Sequence, residues 1–303
     1  YHYPGSLEWA EDVTAMNGDL VEAVFGLVKK YRDGVYEGRL ATGAGIATGC
    51  VIDRNLIGPA FDGRTSGQFS DLVSRGNVTL GVFDDGDELE DWDNRPSRNL
   101  RSIGNWTVDA FGSDVSIQPK NKAFKGPADF HREVFIKRHP LATPAYCIKI
   151  MGPFKGNPEI TFDRCFFHNV RGPSGWGMVN WLWLDDERAQ GAILRITNSV
   201  IVMPDGIDIR GKFKAVCDHN FVVSTRPHPE IQGPNGRFVP SVEALGLIDF
   251  HEGGIDVRPT SQSPLIGAGS GGFTVGPFEP GNQLLPRPME EAWTDAAPFG
   301  WAA

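Results

Sequence analysis

Apolar and polar positions follow two different rhythms along this chain. In residues 19–32, Leu20, Val24, Leu27, Val28 and Tyr31 recur at helical spacing, the stripe of an amphipathic helix. Asp19 is placed to cap its start, with Glu22 in the first turn. Lys29, Lys30 and Arg32 close it, matching the helix dipole, and Gly34 can stop it. Beyond that helix no stretch keeps a 3.6-residue period. Short β-type runs follow instead, separated by Gly, Pro, Asn and Asp.

These runs resemble one another. They are 51–57 (VIDRNLI), 73–80 (VSRGNVTL), 102–108 (SIGNWTV), 160–167 (ITFDRCFF), 194–201 (LRITNSVI) and 216–223 (VCDHNFVV). Each has apolar residues, two or three small or polar ones, then an Asn, Cys or Ser before more apolar residues. The recurring slot is Asn55, Asn77, Asn105, Cys165, Ser199 and Asn220, at intervals of 22, 28, 60, 34 and 21. The interval of 60 has room for one more coil, expected around 146–151 (YCIKIM).

A strand-rich, self-similar unit of this length selects a β-solenoid over helical repeats. An Asn at a bend can then face inward, its amide bonding to backbone and to the next Asn in a ladder. Inward asparagines also set aside the two glycosylation sequons, at Asn77 and Asn105.

At this point the chain resembles the right-handed parallel β-helix proteins, the pectate-lyase-like superfamily. Besides the ladder, two segments carry the resemblance. Residues 249–269 (DFHEGGIDVRPTSQSPLIGAG) are similar to the closing segment of such proteins. The helix at 19–32 is similar to their N-terminal cap, which shields the strand edges of an end coil. The resemblance implies an all-β, right-handed parallel β-helix with an N-terminal amphipathic cap helix and loop insertions. An extension at 1–18 precedes a β-helix domain at 19–270. It is interrupted near 84–99 by an acidic loop and near 109–145 by a basic one. An irregular tail follows at 271–303 and is expected to wrap the last coil or contact a neighbour.

Composition agrees with a turn-dense solenoid: 37 Gly and 22 Pro occur in 303 residues, with 40% hydrophobic residues. The turns become punctuation between coils of one elongated domain. A net charge of −9 argues against bulk nucleic-acid binding. No run of 18 apolar residues offers a membrane span. No basic segment followed by an apolar one opens the chain, so no signal peptide is expected in it. Its first residue, Tyr1, suits a processed chain or a piece of a longer one. Cys50, Cys147, Cys165 and Cys217 form no CxxC pair, so no metal site is expected of them and buried free thiols are favoured over disulfides.

Candidate chemistry concentrates on one face. In 177–188 (GMVNWLWLDDER), Val179, Trp181, Trp183 and Asp185 alternate with Met178, Asn180, Leu182 and Leu184. In 205–212 (DGIDIRGK), Ile207 and Ile209 should point inward and Asp208 and Arg210 outward. Trp181, Trp183, Asp185, Asp208, Arg210 and Lys212 are therefore expected to share a surface, with Trp176 and Asn180 as further substrate-binding residues. Aromatic faces stack on sugar rings, and neighbouring carboxylates serve as acid, base or hydroxyl binders.

Residues 204–209 (PDGIDI) resemble the aspartate strand of polygalacturonases, with Asp205 and Asp208 matching the paired acids of an inverting glycosidase. Pro204 departs from that pattern, and Asp185-Asp186 lies a coil too early. A lyase is the sister reading: a cation neutralises a uronate carboxylate while Lys, Arg or His takes the C5 proton. Arg210, Lys212, Lys214 and His219 lie in the right region. Calcium is the cofactor that chemistry would admit. The acidic loop at 84–93 offers carboxylates but lacks calcium-loop spacing. The function expected is an extracellular polysaccharide-active β-helix, a lyase or glycoside hydrolase. The alternative is a non-enzymatic, tailspike-like virion or cell-surface protein assembled as a homotrimer.

Overall fold

The computed structural model describes residues 46–48, 51–53, 56–57, 65–80, 85–90, 98–108, 110, 112–118, 124–137, 146–151, 154, 157–170, 182–184, 192–211, 215–251, 254–282 and 284. The extension at 1–18, the expected cap helix at 19–32, and Asn55 lie outside them.

The described residues form an all-β, solenoid-like stack of parallel strands. Its first strands are β1 (Ile46–Thr48), β2 (Val51–Asp53) and β3 (Leu56–Ile57). Five coils of three strands follow: β4 (Thr65–Arg75), β5 (Val78–Leu80) and β6 (Asp87–Glu90); β7 (Arg98–Ile103), β8 (Trp106–Val108) and β9 (Val115–Gln118); β10 (Ala128–His131), β11 (Val134–Ile136) and β12 (Ile148–Ile150); β13 (Glu159–Asp163), β14 (Phe166–His168) and β15 (Leu182–Leu184); β16 (Ile193–Thr197), β17 (Val200–Val202) and β18 (Ile209–Arg210). β19 (Ala215–Asp218), β20 (Phe221–Val223) and β21 (Arg237–Val239) end the stack. Like strands pair coil upon coil. β4, β7, β10, β13, β16 and β19 make a first sheet, β3, β5, β8, β11, β14, β17, β20 and β21 a second, and β6, β9, β12, β15 and β18 a third. Residues 65–67 of β4 also belong to the third sheet, through β6.

Exact register puts like residues above like. The row Leu72, Leu100, Ala128, Ile160, Leu194 and Ala215 runs up the first sheet and fills the interior. Phe130 stacks on Phe162 at 4.6 Å and Phe135 on Phe167 at 5.0 Å between ring centroids. Such offset stacks add to the burial of each ring.

The corner between the first and second sheets is a tight turn that demands positive φ. Gly76 and Gly104 take it in two coils, and glycine does so without strain. The next residue is the ladder slot. Asn77 N donates to Asn105 Oδ1 at 2.8 Å, and Asn105 N to Glu133 Oε1 at 3.3 Å. Cys165 N donates to Ser199 Oγ at 3.0 Å, and Ser199 N to Asn220 Oδ1 at 2.9 Å. The expectation for the interval of 60 is corrected here. The missing slot is Glu133, fully buried and bonded to Asn105 Nδ2 at 2.9 Å. Residues 146–151 hold the third strand of that same coil. A glutamate fits because the slot needs an acceptor, which a carboxylate supplies.

Helix α1 (Pro229–Gln232) closes the C-terminal end. Its Ile231 enters the core, and Asn220 donates through N to Gln232 O (3.1 Å) and through Nδ2 to Ile231 O (2.8 Å). A Cβ on Gly233 would fall 2.1 Å from Cys217 O, so only glycine lets the cap sit this close.

The second sheet is buried on both faces. Its outer residues, including Val78, Trp106, Val134, Phe166, Val200 and Phe221, pack beneath a covering segment, residues 240–284, contributing Leu245, Ile255, Val257, Leu265 and Val275. That segment includes an antiparallel pair, β22 (Leu247–Asp249) with β23 (Asp256–Pro259). It runs back along the stack: Phe250 meets Phe166 (5.0 Å), Gly276 N donates to Asn198 O (2.8 Å), and Phe278 reaches Trp106 (6.0 Å). No helix among the described residues is long and apolar enough to cross a membrane.

Asn105→Ala is expected to lower the unfolding free energy by about 2–4 kcal/mol in urea titration, because it removes the side-chain acceptor of the Asn77 N–H and the Nδ2 bond to Glu133. Glu133→Gln keeps the acceptor and removes a buried charge, so it should cost less than about 1 kcal/mol. The reverse order would contradict the ladder's role.

Candidate functional site

One register row of the third sheet is Ser66, Glu88, Ser116, Lys149, Trp183 and Arg210. It alternates with the row Val115, Ile148, Leu182 and Ile209, of which Val115 and Ile148 are fully buried in the core. Trp183 and Arg210 thus occupy adjacent positions, about 4.8 Å apart along the stack.

The other expected residues fall as follows. Asp205 sits in an exposed turn after Pro204, and Gly206 N donates to Met203 O at 2.9 Å. Ile207 is buried, and Asp208 is half-buried immediately before β18. His219 belongs to a different corner, between the first and second sheets, with its Nδ1 3.1 Å from Asp218 Oδ2. Trp176, Asn180, Trp181, Asp185 and Lys212 lie outside the described residues.

Lys149 and Ser116 were not singled out from the sequence. Lys149 is held from the preceding corners: its Nζ lies 3.8 Å from Asp85 Oδ2, and Asp85 Oδ1 accepts from Ser113 N. Ser116 is fully buried, and its Oγ has no hydrogen-bond partner. Behind the row sits a second buried pair. Lys137 has no exposed side-chain surface; its Nζ lies 3.6 Å from Asp114 Oδ1 and donates to Gly112 O. Burial pushes the neighbouring Cys147 thiol well up, and the Asp114 charge adds to this. The fully buried contact, and to a lesser degree the half-buried one, is costly unless closely matched, and both fasten the corners from which the third sheet starts. Strands of three residues are too short to show such a row by alternation; only the pairing reveals it. Among the described residues no three His, Cys, Asp or Glu side chains are grouped to hold a metal ion.

A separate polar cluster marks the first corner. Asp163 accepts from Thr197 Oγ1 and Asn198 Nδ2, each at 2.7 Å, and His131 Nδ1 lies 3.2 Å from its Oδ2. Burial alone would raise this carboxyl. The hydrogen bonds from His131, Asn198 and Thr197 outweigh it and hold the group below the usual aspartate range.

No family model, no curated protein and no solved structure matches this chain.

Two measurements follow from these environments. Because Asp163 is depressed in the folded state, its contribution to stability is present above the unfolded value near 3.9. It is lost as pH falls through the folded value. Asp163→Asn should therefore flatten the acid limb of a stability–pH profile below about pH 4, and an unchanged limb would contradict the assignment. Cys147, Cys165 and Cys217 are all buried free thiols, with Cys217 pushed up to about 12, by burial first and then by Glu230. None of the three should label with a thiol reagent in the native protein at pH 8, as peptide mapping can check.

Proposed function

We propose that this chain is a right-handed parallel β-helix protein, capped by the helix at 19–32, that binds an extended polysaccharide along the outer face of its third sheet. The observation that carries this reading is the register row that sets Trp183 between Lys149 and Arg210. A flat aromatic between two cations suits a sugar ring bearing an acidic substituent, the ring on the indole and the carboxylate on a guanidinium or ammonium. Successive sugars of a chain lying along the stack would meet successive coils.

Of the two reactions, elimination has more support than hydrolysis. The row offers a cation on either side of Trp183, and Asp205 stands outside it in an exposed turn. In the elimination, Arg210 or Lys149 neutralises the uronate carboxylate and so acidifies C5–H. A basic side chain removes that proton, the C5 electron pair forms the C4–C5 double bond, and the C4–O bond breaks to release the sugar chain. Lys149, fastened by Asp85, would be oriented for one of these two roles. Polymers of this kind occur outside cells, and the reading therefore includes an extracellular or cell-surface setting for the protein. A homotrimeric assembly remains compatible with the same face.

Trp183→Ala and Arg210→Ala should each weaken retention on polyuronate in affinity electrophoresis by about tenfold or more, while the unfolding midpoint stays near that of the parent. Lys149→Ala should abolish formation of the unsaturated product, followed by its ultraviolet absorbance. Equal, negligible retention of acidic and neutral glycans by the parent protein would reject the reading.

A further inference from the structure

The corner that glycine fills at Gly76 and Gly104 is filled in the next two coils by Arg132 and Arg164, with φ of 56° and 57°. Their backbones are tied upward, Arg132 N to Asp163 O and Arg164 N to Thr197 O, each at 3.0 Å. Placing two arginines here has a double cost. A non-glycine residue in this conformation is strained, and like charges one coil apart repel. Burial lowers the basicity of Arg132, and Arg164 lowers it further, against the opposing pull of Glu279 and Asp163.

The acids nearby already have partners, and one of them pairs with Arg164 itself. Asp163 is engaged by Thr197, Asn198 and His131. Glu279, from the covering segment, takes Arg164 Nη2 and Thr274 Oγ1. Arg164 is 6% exposed, with its guanidinium carbon 5.2 Å from the Phe273 ring centroid. Yet the Nε of Arg132 and the Nε of Arg164 are both buried and have no hydrogen-bond partner. A buried Nε–H left without an acceptor is rare and calls for an ion or water at that place, even where another nitrogen of the same guanidinium is paired.

We propose that Arg132 and Arg164 form a binding site for a tetrahedral oxyanion, sulfate or phosphate, at the corner where the covering segment meets the stack. Its oxygens would accept from both Nε–H groups, and the guanidinium plane suits such an acceptor. The rim is open to solvent: the His131 side chain is 41% exposed and that of Glu279 36%. A free ion and a sulfate or phosphate ester on a sugar present the same oxygens. The site is independent of the glycan-binding face and stands or falls separately.

The test uses the full chain at neutral pH and constant ionic strength, with chloride as the reference anion. Sulfate should raise the thermal midpoint by about 3 °C at ten times its dissociation constant. Calorimetric titration should show one site. Arg132→Gly places at this corner the residue that Gly76 and Gly104 already supply, so it should fold with an equal or higher midpoint in chloride. It should lose the sulfate-specific shift. Glucose 6-sulfate forms a second arm: a shift matching that of free sulfate identifies an ester group as the ligand, and its absence identifies the free ion, with the site upheld either way. A parent protein that responds to sulfate no more than to chloride would show that the donors hold water only. A glycine variant that responds as the parent does would place the anion elsewhere. Each of these two results overturns the proposal.

Discussion

Everything in this molecule depends on register between coils, and the ladder of inward polar side chains is what holds that register. A backbone N–H at the corner has its acceptor not within its own coil but on the side chain one coil above, as Asn77 does with Asn105 and Ser199 with Asn220. Slipping one coil by a single residue would break those bonds and turn core residues outward. The apolar rows and phenylalanine stacks then follow as consequences, because register that brings acceptor to donor also brings Phe130 over Phe162. The slot tolerates Asn, Ser and Glu because each offers an oxygen. Cys165 is the weak member, with a sulfur 3.6 Å from Phe130 O and 3.5 Å from Asp163 O.

The three sheets face three different surroundings, and that division allots their roles. The second sheet is apolar on both sides, covered inside by the core and outside by residues 240–284. Among its described residues only β21, at the end of the stack, is exposed. The first sheet ends in the polar corner of Asp163, Arg132 and Arg164. The third sheet carries the mixed register row containing Ser116, Lys149, Trp183 and Arg210, with lysine–aspartate contacts at its corners. Charge is thus spent at the corners, where strands start and stop, while the strands themselves hold the hydrophobic interior.

The stacked, parallel, all-β character was legible in the sequence because the ladder leaves a polar residue at a fixed place in an apolar context. Asn77, Asn105, Cys165, Ser199 and Asn220 all occupy that place in the structure. Glu133 was not legible: a glutamate flanked by Arg132 and Val134 reads as a surface charge unless the slot is known to require an acceptor. The adjacency of Trp183 and Arg210 could be anticipated from alternation, since Trp183 lies between Leu182 and Leu184 and Arg210 follows the Ile207–Ile209 alternation. Lys149 could not, because Ile148–Ile150 is too short to carry a period. The outward burial of the second sheet was hidden for a related reason. Strands such as Val200–Val202 are apolar at every position, and continuous apolar strands do not announce what covers their far side.

The covering segment doubles back in the β22–β23 pair, yet its contacts span the stack, from Phe278 on Trp106 to Ser270 on Asn198. It therefore acts as a measuring tape. The ladder itself sets no limit on coil number, since each rung needs only the rung above, and duplication of a coil would preserve every local bond. The tape does not stretch with such a duplication. One added coil between Trp106 and Phe221 would displace Phe278 from Trp106, or Ser270 from Asn198, by a full step. A row of valines and phenylalanines would then lie bare. The number of coils between these contacts is thus matched to a segment that belongs to none of the repeats it spans.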